Sequence, residues 1–127
     1  WHTPDHVSFA SRHAGREPYE AIELYGREQV LWPDHCIAGS AGASLHPALP
    51  WHRVRAIVRK GVDAPVDAYS AFRRNYDAPR RRPLTGPGGY LRGRGIAALC
   101  VSGPAPAYRL RATGEAMPAD DPGFSAS

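Results

Sequence analysis

The run Gly95-Ile96-Ala97-Ala98-Leu99-Cys100-Val101-Ser102-Gly103 constrains this chain more than any other stretch. A nearly unbroken apolar segment between glycines reads as a strand buried on both faces, the habit of parallel sheets. Cys100 falls mid-strand in this reading, as a buried core thiol. Tyr90-Leu91 leads into Gly95, a natural helix end, so the local order is helix, strand, glycine turn. That order is an α/β signature. The 127 residues suffice for one ordinary domain, and 43% apolar content with three Trp argues for a packed core. No apolar run approaches the ~20 residues of a membrane span. The first residues do not resemble a signal peptide, and Cys36 and Cys100 alone make no disulfide framework. A cytoplasmic setting is expected.

Upstream of that run the pattern is less regular. Residues 1–17 are polar, with Pro4 and Gly15 as breakers, and read as a loop. Glu17 to Tyr25 predicts a short helix stopped by Gly26. Gln29-Val30-Leu31-Trp32 is a β-prone run ended by Pro33. Cys36 to Ala43, rich in small residues, predicts a tight loop. Trp51, Val54, Ile57 and Val58 fall at helical spacing, yet Ala56-Ile57-Val58-Arg59 also reads as a strand. A short helical turn followed by a buried strand satisfies both. Pro79 to Gly89 predicts a loop. From Gly114 onward the chain has no periodicity and reads as a frayed tail.

Two groups of residues carry chemistry. His2, His6 and the run Trp32-Pro33-Asp34-His35-Cys36 offer imidazoles suited to zinc, iron or manganese. Pro4 between His2 and His6 places that pair on a loop, and scattered surface histidines would give the same spacing. The second group is Lys60-Gly61. Fifteen of the sixteen basic residues are Arg and only Lys60 is Lys. A chain that otherwise chooses Arg has kept here a compact ammonium able to lose its proton. At the end of a buried strand that ammonium would face the crevice where such sheets bind ligands. Arg73, Arg74, Arg80, Arg81, Arg82, Arg92 and Arg94 form a basic stretch interrupted only by Asp77. Such a stretch suits phosphate or nucleic acid; a solvated loop and helix face is the plainer expectation.

Taken in order, Trp1-His2-Thr3-Pro4-Asp5-His6-Val7-Ser8-Phe9-Ala10-Ser11, Trp32-Pro33-Asp34-His35-Cys36, Arg59-Lys60-Gly61 and Val66-Asp67-Ala68-Tyr69-Ser70-Ala71-Phe72 resemble bacterial nicotinamidases (pyrazinamidases). These belong to the isochorismatase-like hydrolases. The resemblance runs from residue 1 to about 103 and more loosely beyond. It divides the chain into a family-like domain, 1–113, and a poorly matching tail, 114–127. It implies a parallel-sheet α/β fold and hydrolysis of a small amide, nicotinamide or pyrazinamide, within NAD salvage. It also implies a divalent zinc, iron or manganese ion, with no membrane and no nucleic acid as partner. By the same resemblance His2, His35 and His6 match metal ligands, Lys60 a catalytic lysine, and Trp32, Tyr69 and Tyr108 the lining of the substrate pocket.

The sequence also departs from the family pattern. It opens inside an Asp-Trp-His ligand motif, after the Asp. The resemblance therefore implies an incomplete fold, with the first strand and its catalytic Asp, and the first helix, absent here. The nucleophile segment Gly-Leu-Ala-Thr-Asp-Tyr-Cys-Val corresponds to Gly103-Pro104-Ala105-Pro106-Ala107-Tyr108-Arg109-Leu110, so Arg109 occupies the nucleophile position. A guanidinium cannot act as a thiolate, and two prolines remove backbone donors from the turn that would hold an oxyanion. The expectation is a family hydrolase without turnover in this chain. The alternative is a non-catalytic metal-binding or Arg-rich phosphate- or nucleic-acid-binding module.

Overall fold

The computed structural model describes residues 1–102, Thr113 and the backbone of Ser125–Ala126. It divides into two compact units, Trp1–Asp67 and Ala68–Ser127.

In the first unit, β1 (Ala21–Leu24) and β2 (Arg27–Val30) form an antiparallel hairpin, with Ala21 opposite Val30 and Leu24 opposite Arg27. This replaces the helix expected over Glu17–Tyr25. Tyr25 and Gly26 both take positive φ, 53° and 76°. Two such residues make the tight reversal whose twist suits a two-residue hairpin. Ile22 and Leu24 are half-buried while Ala21 and Glu23 face solvent, a period of two that no helix could use. The β-prone run at Gln29–Trp32 does contribute a strand, displaced toward its N-terminal side.

Leu31 and Trp32 continue past β2 into contact with the N-terminal loop. Trp32 donates its N–H to Ser8 O (2.8 Å) and accepts from Ala10 N (2.9 Å), a parallel bridge between Phe9 and Trp32. A second parallel bridge pairs His2 with Ile37. Together they lay the first ten residues alongside 32–38. Phe9 and Leu31 are fully buried and anchor this packing. Cys36 to Ala43 is the tight loop its composition predicts, with Cys36 and Gly39 at positive φ and a 3-10 turn at Ala41–Ala43.

Residues 51–59 begin as expected and then depart. A 3-10 turn forms at Trp51–Arg53, but Ala56–Arg59 is neither a strand nor buried; Ile57 is 54% and Val58 48% exposed. Apolar β-branched residues form a strand only where a neighbour completes the ladder, and none of the described residues does so here.

In the second unit, Phe72 to Thr85 folds back on itself. Thr85 N–H donates to Phe72 O, Arg74 N–H to Pro83 O and Asp77 N–H to Arg81 O, each at 3.0 Å. The Asp77 carboxylate closes the reversal by accepting from Arg81 N (2.7 Å) and Arg81 Nε (3.0 Å). Desolvation pushes that carboxyl up, but the Arg81 hydrogen bonds outweigh it and hold it below its ordinary range.

Helix α1 (Pro87–Gly93) starts with Pro at its first position, where the missing N–H costs nothing. It ends as the sequence indicates. Gly95, at φ 66°, donates to Arg92 O (2.9 Å), and Ile96 N–H reaches back to Leu91 O (3.1 Å). This pair of bonds is the left-handed helix cap that glycine permits.

Over Gly95–Ser102, the described part of the Gly95–Gly103 run, the strand is shorter and more exposed than expected; Gly103 lies outside the described residues. Only Ala98–Leu99 is strand (β3), paired in parallel with Ser125–Ala126 (β4). Leu91, Ile96, Leu99 and Val101 pack with Ala71 against the buried Phe72, whereas Ala97, Ala98 and Cys100 are exposed. The run is covered on one side rather than two, and Cys100 is not a core residue. Among the described residues the sheets are one antiparallel and one parallel pair, and no helix is long and apolar enough to cross a membrane.

Candidate metal centre

The parallel bridges bring three imidazoles together over one aromatic ring. His2 and His6 lie with ring centroids 4.3 Å apart, and His2 and His35 lie 4.9 Å apart. Phe9 touches all three, at 5.5, 5.7 and 5.6 Å. Local geometry follows from the sequence: Pro4 keeps Trp1–Ser8 out of a helix, and turns close from His6 N to Thr3 O and from Phe9 N to His6 O, both 3.1 Å. The three predicted metal-ligand histidines therefore converge on a loop.

Each ring is oriented through its Nδ1. His2 Nδ1–H donates to Gly61 O at 2.9 Å, which leaves Nε2 as the lone-pair nitrogen. His35 Nδ1 does the same toward Pro33 O at 2.8 Å. His6 Nδ1 pairs with Ser8 Oγ at 2.8 Å. For His2 and His35 this is the arrangement that fixes tautomer and aim in metal-ligating histidines, whereas His6 Nδ1 also accepts from the Ser8 backbone N–H at 3.3 Å. Gly61 is essential to it. Its φ is +68°, and a Cβ there would fall 2.6 Å from His2 Cε1 and 2.8 Å from His2 Nδ1.

Electrostatics keep the pair neutral. Burial, then the neighbouring His6, lowers the His2 pKa from 6.5 to about 3. Burial also lowers His6, against the opposing pull of the Asp67 carboxylate and the Val66 carbonyl. Neutral imidazole is the form that binds a cation. His6 is fully buried, yet its Nε2 makes no hydrogen bond, an omission that ordinarily costs about 1–3 kcal/mol.

Asp67 completes the group. One ligand atom each from His2, His6 and Asp67 lies within 4.8 Å of the others, and all three residues are buried. Two imidazoles and a carboxylate form a donor set suited to zinc or iron(II). His35 lies beside the group without belonging to this set. No motif spacing marks Asp67 for this place; the available signal is an acidic residue between Val66 and Ala68.

The other predicted site residues are placed as follows. Lys60 is half-buried immediately before Gly61, in an irregular segment rather than at the end of a buried strand. Trp32 is half-buried, edge-on to Tyr19 at 6.0 Å between centroids. Tyr69 is half-buried in the second unit. Tyr108 and Arg109 lie outside the described residues. Several arginines of the basic stretch are engaged within the chain. Arg81 pairs with Asp77 at 3.0 Å, Arg73 Nη1 donates to Arg82 O at 2.9 Å, and Arg82 and Arg94 lie over Tyr76 and Tyr90.

No family model matches the sequence. Individual proteins do. The chain is 44% identical over 103 residues to a nicotinamidase of Acinetobacter baylyi, covering 81% of this chain and 46% of the relative. It is 43% identical over 113 residues to a nicotinamidase of Escherichia coli, covering 89% and 51%. The chain belongs to the nicotinamidase family. A solved structure of a nicotinamidase/pyrazinamidase from Acinetobacter baumanii superposes with a TM-score of 0.81 at 43% identity, covering 90% of this chain and 53% of that one. The chain thus spans about half the length of the family members it matches.

Proposed function

We propose that this chain carries the metal-binding part of a nicotinamidase-type site, and that the family reaction is hydrolysis of nicotinamide or a close pyridine or pyrazine amide to the acid and ammonia. The observation that carries this reading is the convergence of the buried His2 and His6 with the half-buried His35 in a chain of this family. A divalent ion held by these residues would supply a fixed positive charge toward the ring nitrogen of the substrate and a bound water. The chain's own residues do the rest. Gly61 O and Ser8 Oγ hold the imidazoles in register, Phe9 supports all three rings, and the indole of Trp32 offers a face on which a pyridine can stack.

In the same reading the 127-residue chain does not itself turn over nicotinamide. Arg109 stands where the family resemblance places the attacking thiol, and a protonated guanidinium has no lone pair to form the acyl bond. Lys60, matched to the family lysine, then has no thiolate to stabilise. Incubating the chain with nicotinamide and zinc or manganese should release no nicotinate beyond a protein-free control. Nicotinate release that rises with protein concentration and disappears in Lys60→Ala would refute the assignment of Arg109. The phosphate- or nucleic-acid-binding reading is not favoured, because several of the arginines it needs already serve neighbouring groups.

A further inference from the structure

We propose that Tyr19 is a positioning residue for Trp32, holding the indole plane ready for a flat, electron-poor ring, the pyridine or pyrazine of an aromatic amide. The inference rests on the reading that Trp32 lines the substrate site and deepens it. Tyr19 itself belongs to none of the motifs that carry the family resemblance.

Three observations converge. First, the main chain of Trp32 is fixed and its ring has a perpendicular neighbour. Its N–H donates to Ser8 O (2.8 Å), its carbonyl accepts from Ala10 N (2.9 Å), and Pro33 after it narrows the conformations it can take. The Tyr19 ring stands across the half-buried indole at 90°, with 6.0 Å between centroids. An edge-to-face contact of this kind is attractive, and it stops the indole from swinging to that side. Second, Tyr19 is tied to the residue just before Trp32. Tyr19 N–H donates to Leu31 O (2.6 Å) and Leu31 N–H to Glu20 O (2.8 Å), while Leu31 itself is fully buried. Both aromatic side chains therefore project from one pinned crossing of the chain. Third, tyrosine is an expensive residue for this place. Its φ is +75°, where a bulky L residue is strained and glycine is not. Core burial does not offset that strain, since Tyr19 is 69% exposed. What the side chain contributes is its contact with Trp32. Strain of this kind, held by surrounding bonds, is a recurring mark of ligand sites. An indole aligned before the ligand arrives loses less freedom on binding.

The test uses the whole 127-residue chain carrying fluorine-labelled tryptophan, with zinc added, nicotinamide as the probe and fluorine NMR as the readout. Trp32→Phe assigns the Trp32 resonance among the three tryptophans. In the wild type, nicotinamide should shift that resonance along a saturating titration. Tyr19→Gly removes the ring and relaxes the backbone. Its melting temperature should not fall, yet its dissociation constant for nicotinamide should rise about fivefold, the order of one aromatic pair. Tyr19→Phe, which keeps the ring, should retain wild-type affinity. A side chain that served only the fold would do the reverse, lowering the melting temperature and leaving the affinity of the folded chain unchanged. Tyr19→Leu keeps bulk without the aromatic edge; it should bind as weakly as the Gly variant and serves in its place if that variant unfolds. Wild-type affinity in either variant, with Trp32 still shifted by nicotinamide, overturns the role of Tyr19 and spares the reading of Trp32. No nicotinamide-dependent shift of Trp32 in the wild type overturns both.

Discussion

One methyl group added at the buried Gly61 tests whether the imidazole cluster is built or incidental. At φ +68° any L side chain is strained, and the added Cβ would meet the His2 ring at 2.6 and 2.8 Å. Gly39 supplies the control: its φ is +83° and nothing lies within 4 Å of its Cβ position. The left-handed backbone alone costs alanine roughly 1–2 kcal/mol, offset by roughly 0.4–1 kcal/mol from a less free unfolded chain. Gly39→Ala should therefore cost about 1 kcal/mol. Gly61→Ala adds displacement of a buried ring, roughly 1–3 kcal/mol, and loss of the His2–Gly61 hydrogen bond, roughly 0.5–1.5 kcal/mol. Its total should reach about 2–5 kcal/mol. Urea unfolding of the two variants, with unchanged m-values, measures the difference directly. Zinc affinity should fall in Gly61→Ala and stay unchanged in Gly39→Ala. Equal destabilisation of the two variants, with equal zinc affinity, would refute the claim that Gly61 sets the position of His2.

Further expectations follow from the same contacts. His2 in the folded chain resists protonation until about pH 3, whereas the unfolded ring takes a proton near 6.5. Stability is therefore full above pH 6.5 and erodes as the pH falls toward 3, by about 1.4 kcal/mol per unit for this residue while the unfolded ring is charged. Urea midpoints at pH 7.5 and 5 measure the slope, which His2→Asn should flatten. Zinc at 100 times its dissociation constant should stabilise the folded chain by about 2.7 kcal/mol, seen as a higher melting temperature that a chelator reverses. In the second unit, Phe72→Ala should cost about 3 kcal/mol and speed hydrogen exchange at the Gly95 and Ile96 amides that cap α1; unchanged exchange there would separate the cap from the Phe72 cluster.

What the sequence made legible was local or carried by paired motifs. The helix end at Gly95 needs only a glycine in the right place, and the loop character of Trp1–Ser8 needs only Pro4. The convergence of His2, His6 and His35 was implied by the family resemblance and is geometric fact in the parallel bridges at Phe9 and His2. The hairpin at Tyr25-Gly26 was missed because a tyrosine at positive φ is not a usual turn signal, although Ile22 and Leu24 already alternated. The strands expected over Ala56–Arg59 and the full Gly95–Gly103 run failed for one physical reason: an apolar β-prone segment states a preference, and its partner decides whether a ladder forms. The approach of Asp67 to His2 and His6 was illegible because tertiary packing between distant segments brings it about, with no spacing rule to announce it.

These contacts bear on what the imidazole cluster costs the fold and what a cation would offset. The features that cost stability without an ion, namely two rings kept neutral by burial, one unsatisfied nitrogen at His6 and a buried carboxylate, are the ones a bound cation offsets. All of them arise from residues between His2 and Asp67, within the first unit. The hydrogen bonds that aim the imidazoles are made by Ser8, Pro33 and Gly61. Exchanging Arg109 should leave zinc affinity where it was, while a change at Gly61 should move it.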